Sequence, residues 1–243
     1  MKVALDSDFT DYYDEGFGAL YEPHRLTYRR RFSEGPTRQE MFPLLSALGY
    51  RTPRHGKVAE LAGLPKPPET VVVYLDEGAR EGKGLLRLPL ESAIASYPEH
   101  YASEYIEALQ FLPGKSSTVR LMLLGHRQFW LRYSSNDAWR SNCGKVDIEL
   151  MHEETRGPAP ALQQSAEPCN AIYDLLALRK NVYDVPLYAI DFVLATDGAW
   201  AVDFNTAPRL QDTGLEARLS PETIYQEITA WLKNHAGQQA VLP

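Results

Sequence analysis

Apolar residues along this chain fall mostly into short runs bounded by Gly, Pro, Asp and Asn, the pattern of strands rather than of long helices. Residues 2–6 read as a short strand that gives way to an acidic, aromatic loop between Asp6 and Tyr21. Residues 24–32 read as a strand carrying Arg25, Arg29, Arg30 and Arg31. Such a strand is either a solvated edge, where charge blocks unwanted pairing, or the lining of an anion site. Two apolar runs, 70–75 and 85–88, flank a loop with Gly78, Gly82, Gly84, Arg80 and Lys83. The loop is either a plain glycine-rich turn or a flap whose backbone amides approach phosphate. It is not a Walker-type loop, because no Ser or Thr follows Lys83 and no helix is signalled there. A short helix at 90–97 and a short strand at 102–107 come next. Runs at 119–125 and 128–133 predict a hairpin about Gly125 and His126, with Arg120 and Arg132 inside the apolar segments. A cation so placed needs a partner, and either a structural ion pair or a bound anion would supply it.

Helices are signalled by their ends. Thr37 and Glu40 form a capping-box pattern for a helix that runs to Leu48 and stops at Gly49, with Pro43 removing one internal hydrogen bond. The apolar spacing of 160–180 suits an amphipathic helix, and Ser220, Pro221 and Glu222 open a last helix that reaches about residue 234. The proline-rich 64–68 and the polar 136–144 read as loops. Residues 186–208 predict a second hairpin, turning at Asp197 and Gly198. Asp203 and Asn205 are two apart and share one face of their strand, while Asp191 lies on the facing strand. These oxygen-bearing side chains form either a site for a hard cation or the wet face of a surface hairpin.

Composition narrows the field. The 243 residues are 44% hydrophobic and 23% charged, enough for a sizeable core. The net charge of −7 argues against a general nucleic-acid binder. Cys143 and Cys169 have neither CxxC spacing nor a neighbouring His cluster, so zinc and a disulfide framework are not expected. The first residues lack the apolar core of a signal peptide, and no apolar stretch is long enough to span a membrane. A cytoplasmic protein is the expectation.

The order of these features resembles the ATP-grasp superfamily of carboxylate–amine ligases, and most of all the branch that adds glutamates to a ribosomal protein. The likeness runs from about Thr37 to Gly214. Phe42 to Pro53 resembles the family's helix and the step after it. Val71 to Leu88 resembles the strand, glycine loop and strand that close over the triphosphate. Ser103 to Ile106 resembles the hinge that meets adenine. Val119-Arg120 and Arg140-Ser141-Asn142 resemble its arginine strand and Arg-x-Asn element, and Asp191, Asp203 and Asn205 to Pro208 its metal-binding motif.

The resemblance implies an α+β ATP-grasp fold, two subdomains with antiparallel sheets enclosing a nucleotide cleft. Residues 1–36 would be a reduced N-terminal segment, 37–108 the smaller subdomain and 109–243 the larger. It implies ATP and Mg2+ (or Mn2+) as cofactors, with the metal on Asp191, Asp203 and Asn205. Arg140 and Arg120 would act on the transferring phosphoryl group, and Arg38, Tyr74, Arg80, Lys83, Glu104, Tyr105, Ile106 and Glu107 would bind ATP. The substrate would be a small molecule or peptide. Three positions depart from the pattern. Tyr74 stands where a strand lysine is usual, Arg38 where another lysine is often found, and Asp203 where a glutamate is usual. Arg80, Lys83 or Arg87 could replace the missing cation. The short N-terminal segment leaves substrate-binding surface to be supplied, in part by a second subunit of a homo-oligomer.

Overall fold

The computed structural model describes residues 37–76, 84–125, 127–155, 187–205, 219–220, 223, 226–227 and 230. The predicted strands at 2–6 and 24–32, the flap residues Arg80 and Lys83, and the predicted helix at 160–180 lie outside the described residues.

Helix α1 (Arg38–Ala47) starts where its capping signal places it. Thr37 Oγ1 accepts from the Glu40 amide at 3.3 Å, and Glu40 Oε2 accepts from the Thr37 amide at 3.0 Å. Two amides that a helix start would leave open are thereby satisfied. Pro43 lies inside the helix and does not delay its start. Leu48 closes the helix, and Gly49, at a φ of 87°, turns the chain away.

The first sheet contains β1 (His55–Lys57), β2 (Thr70–Tyr74), β3 (Leu85–Pro89) and β4 (Tyr101–Glu104) in the order β1-β4-β2-β3, all antiparallel. Helix α2 (Val58–Ala62) follows β1, and α3 (Leu90–Ser96) follows β3. Strand alternation sorts the two faces. Val71, Val73 and Ala102 pack against Val58 and Leu61 of α2 and Leu90 and Ala93 of α3. Val72, Tyr74 and Tyr101 join a different cluster, shared with α1 and the second sheet. Strand β1 and helix α2 carry too few residues to show a period, and the sequence pattern passes over both. Strand β4 ends at Glu104, short of the predicted 107.

The second sheet contains β5 (Ser116–Leu124), β6 (Arg127–Ser135), β7 (Val146–Thr155), β8 (Leu187–Ala195) and β9 (Gly198–Asn205) in the order β7-β6-β5-β8-β9, again all antiparallel. The sequence reading misses β7. Its Val146, Ile148 and Leu150 alternate with Asp147 and Glu149, the composition of a charged edge strand. Lys115 pairs with Asp147, Arg127 with Glu153 and Arg132 with Glu149. The alternatives left open for Arg132 thus resolve to an ion pair.

Met41, Phe42 and Leu45 of α1 are fully enclosed among Leu121, Leu123, Tyr188, Ile190, Phe192 and Phe204 of the second sheet. Each such side chain contributes about 1.5–3 kcal/mol by leaving water. Because Tyr74 and Tyr101 belong to the same cluster, α1 bridges the two sheets. The chain crosses between them after β4, where the Leu109 amide donates to the Leu194 carbonyl at 2.7 Å. At the β5–β6 turn Gly125 has a φ of 56°, and a Cβ there would lie 2.6 Å from the Glu227 carbonyl oxygen. Glu227 belongs to the predicted last helix. Its described residues Thr223, Gln226, Glu227 and Ala230 are helical, and Ser220 Oγ accepts from the Thr223 amide at 3.3 Å. The α+β class with two antiparallel sheets is the one the resemblance implies. No helix among the described residues is long and apolar enough to cross a membrane.

Candidate functional site

The hairpin β8–β9 differs from its predicted form in one respect that shapes the site. Its two-residue turn is Thr196-Asp197, and Gly198, with a φ of 126°, opens β9. Ala195 faces Gly198, and that register would set Asp191 opposite Val202. Instead the register shifts by one between Phe192 and Asp191, so that Asp191 faces Asp203. The extra residue is Val202, a β-bulge. Ala199, Ala201 and Phe204 keep to the apolar core face. Without the bulge, strand alternation would have turned Asp203 onto that face.

Each of the two carboxylates meets a guanidinium. Arg120 on β5 is the cross-strand partner of Asp191 and binds it with two parallel hydrogen bonds, Nε to Oδ1 at 2.6 Å and Nη2 to Oδ2 at 2.7 Å. The two side chains are only 11% and 12% exposed. Burial pulls the Arg120 guanidinium toward losing its proton more than any other single influence, but the Asp191 charge and hydrogen bonds, with Tyr133 and Asp203 adding to them, together outweigh it and hold its pKa above the ordinary value. The Arg120 guanidinium carbon also lies 4.6 Å from the centre of the Tyr133 ring. Arg38, the first residue of α1, donates to Asp203 Oδ1, which also accepts from the Phe204 amide at 3.0 Å. The helix dipole disfavours a cation at that end, and Asp203 offsets it, raising the Arg38 pKa. Arg38 also stacks at 5.4 Å from the Tyr74 ring. Tyr74 is buried, and its hydroxyl meets Ser103 Oγ at 3.1 Å. Burial pushes its pKa up, against the pull of Arg38. The structure therefore gathers Arg38, Tyr74, Arg120, Asp191 and Asp203, with Asn205 two residues further along β9.

The predicted hinge residues are held differently. Glu104 takes a two-pronged pair from Arg54, Nε to Oε2 at 2.8 Å and Nη2 to Oε1 at 2.5 Å, and this hydrogen bonding lowers its pKa. Tyr105 lies between Arg87, whose guanidinium carbon is 3.9 Å from the ring centre, and the edge-on Trp139 at 6.3 Å. Ile106 is half-buried and Glu107 exposed, the latter 3.7 Å from Arg87. Arg87, raised as a replacement for the missing lysine, is thus engaged at the hinge. Arg140 pairs with Asp137 inside its own loop, Nη2 to Oδ2 at 2.7 Å. Asp137 Oδ1 also accepts from the Trp139 and Arg140 amides at 3.0 and 2.8 Å. These bonds, the Arg140 side chain's first, bring the Asp137 pKa down to about 2. The contact between Tyr105 and Trp139 links this loop to the hinge. Sequence reasoning missed Arg54, Tyr133 and Asp137. Only Asp137 carried a local signal, an Asp two residues before the amide it caps.

The cation expected at Asp191, Asp203 and Asn205 can be tested against this arrangement. Two carboxylates face two guanidiniums, so the cluster is already neutral. Both Asp191 oxygens and Asp203 Oδ1 are engaged, and a hard cation needs such oxygens for itself. Among the described residues no group of three or more His, Cys, Asp or Glu is placed to hold a metal. As arranged, these residues do not fit a divalent cation.

No protein-family model matches the sequence, and no curated protein matches it. Solved structures that it is similar to include ligases and ATP-grasp proteins. A D-alanine–D-alanine ligase from Bacillus anthracis, complexed with ATP, is 13% identical, with a TM-score of 0.48 over 81% of this chain and 65% of that one. The ATP-grasp ligase PsnB, complexed with a phosphomimetic variant of a minimal precursor, Mg and ADP, is 12% identical, with a TM-score of 0.48 over 93% of this chain and 75% of that one. A RimK-domain ATP-grasp protein from Sphaerobacter thermophilus is 15% identical, with a TM-score of 0.42 over 78% and 63%. This chain therefore spans 65% of the length of the first ligase named. Likeness of this degree says nothing of activity.

Proposed function

We propose that this protein is an ATP-dependent ligase that joins a carboxylate to an amine through an acyl phosphate, with an amino acid, a peptide or a protein terminus as acceptor. One observation carries the reading. The hairpin β2–β3, the hinge after β4, the arginine strand β5, the Arg140 loop and the hairpin β8–β9 follow in the expected order, and β2, β5, β8 and β9 together with α1 bring Arg38, Tyr74, Arg120, Asp191 and Asp203 to one place. The division between the two parts would fall at residues 108 and 109.

In the first step a carboxylate oxygen attacks the γ-phosphorus, the bond to the bridging oxygen breaks, and ADP leaves. In the second, the amine nitrogen attacks the acyl carbon, phosphate leaves with the C–O bond, and the amine gives up a proton. Neither step needs a nucleophile from the protein, only positioning and neutralised charge. Guanidiniums suit that task, because each binds two oxygens in one plane. In this reading Arg38, Arg120 and Arg140 supply them, Arg80 and Lys83 cover the phosphates, and the hinge from Glu104 to Glu107 meets the base. The test is release of ADP and phosphate from ATP in magnesium buffer, screened against amino acids and short peptides. Acceptor-dependent release is expected, falling about a hundredfold in Arg140→Ala. Release no greater than in that variant, with every acceptor, overturns the reading.

A second reading, a nucleotide-binding module without turnover, is favoured by Tyr74, which puts a buried hydroxyl on Ser103 where the resemblance calls for a cation. It predicts stabilisation by a non-hydrolysable ATP analogue, about 2.7 kcal/mol at a hundredfold excess over Kd, with no ADP formed from ATP.

A further inference from the structure

We infer that Tyr74 is a positioning residue: its buried ring holds the Arg38 guanidinium in place and leaves the Nε–Nη2 edge of that guanidinium to two oxygens of one phosphate group. The arginines of this region differ in what they already hold. Arg120, Arg54 and Arg140 each direct Nε and Nη2 at one carboxylate, that of Asp191, Glu104 and Asp137 in turn. Arg38 uses only Nη1, on Asp203 and, at 3.6 Å, on the Met41 sulfur. Among the described residues its Nε and Nη2 have no hydrogen-bond partner, and its side chain is 20% exposed. That edge matches two oxygens on one phosphorus. Contacts through one nitrogen do not fix so long a side chain against its rotamer freedom. Tyr74 supplies the second support, its ring centre 5.4 Å from the Arg38 guanidinium carbon and within cation–π range. The ring is itself fixed. It is buried, its hydroxyl meets Ser103 Oγ at 3.1 Å, and the Tyr101 ring flanks it at 5.9 Å between centres. Tyr74 therefore brings no charge to an anion, but its ring sets where the charge of Arg38 stands. The inference takes its ligand from the nucleotide-binding reading, and the test keeps the two apart.

In ligand-free, full-length protein labelled with 15N-arginine, the Arg38 Nε resonance should stand apart from that of free arginine. It should do so equally in Tyr74→Phe, which keeps the ring, and move toward the free position in Tyr74→Leu, which does not. Calorimetric binding of a non-hydrolysable ATP analogue in magnesium buffer should weaken about five- to thirtyfold in Tyr74→Leu, the scale of one partly desolvated cation–π contact, and be restored in Tyr74→Phe. With Arg38→Gln already present, Tyr74→Leu should cost nothing further, a coupling that general loosening of the fold would not produce. Arg38 resonances alike in Tyr74→Leu and Tyr74→Phe, or equal losses of affinity with and without Arg38, overturn the inference. An analogue that does not bind the unaltered protein overturns the nucleotide reading instead, and the resonances still decide whether Tyr74 holds Arg38. A measurement free of variants covers the case in which Tyr74→Leu does not fold. The nuclear Overhauser effect between the Tyr74 ring protons and the Arg38 δ protons should persist while the analogue shifts the Arg38 Nε resonance. Its disappearance on binding refutes the positioning role.

Discussion

Asp191→Asn would leave the Arg120 guanidinium inside the sheet without its counter-ion. The two hydrogen bonds, at 2.6 and 2.7 Å, and side-chain exposures of 11% and 12% leave little water to screen the charge. At a charge separation of about 4 Å and an effective dielectric constant of about 20, the lost attraction is about 4 kcal/mol. Asparagine keeps the shape and one acceptor, and the Tyr133 ring at 4.6 Å offers a cation–π contact of about 1–2 kcal/mol. The expected destabilisation is about 3–5 kcal/mol, as for other buried pairs that lose one partner. Arg120→Met should cost less, because a stranded carboxylate can take up a proton and a guanidinium cannot. The double variant should recover part of the loss, since neither charge is left buried alone. Urea midpoints of the four proteins, at an unchanged slope, give these differences and their coupling. Asp191→Asn within about 1 kcal/mol of the unaltered protein, or a double variant equal to the sum of the singles, would show that the pair is screened and energetically slight.

Two further outcomes follow from local geometry. Gly125→Ala should destabilise by about 2 kcal/mol or more in the same assay, because the left-handed backbone strains alanine and its Cβ would lie 2.6 Å from the Glu227 carbonyl oxygen; Gly114→Ala, with a φ of 70° and nothing within 4 Å, should cost only the strain, about 1 kcal/mol. The Asp137 carboxyl should titrate near 2 by NMR and return toward its ordinary 3.8 in Arg140→Ala; since its folded pKa is depressed, the order it gives the loop is present above 3.8 and is lost as pH falls through about 2.

Features that depend on near neighbours were legible in the sequence. The capping box at Thr37 and Glu40, the alternation that sends Val71 and Val73 one way and Tyr74 the other, and the hairpin carrying Asp191, Asp203 and Asn205 all follow from backbone sterics and side-chain periods a few residues long. Strand β7 went unread, because Asp147 and Glu149 interrupt the alternation of Val146, Ile148 and Leu150. Tertiary structure alone decided which groups neutralise one another. Arg38 and Asp203 are 165 residues apart and Arg120 and Asp191 are 71 apart, and no local pattern couples them. Their meeting depends on the register of β5 against β8, on α1 packing between two sheets, and on a one-residue bulge at Val202. A strand's period marks which residues share a face, but only pairing with a neighbour fixes what each one opposes, and a single inserted residue reverses that outcome. The sequence therefore showed the oxygens of this site, and the fold set the arginines against them.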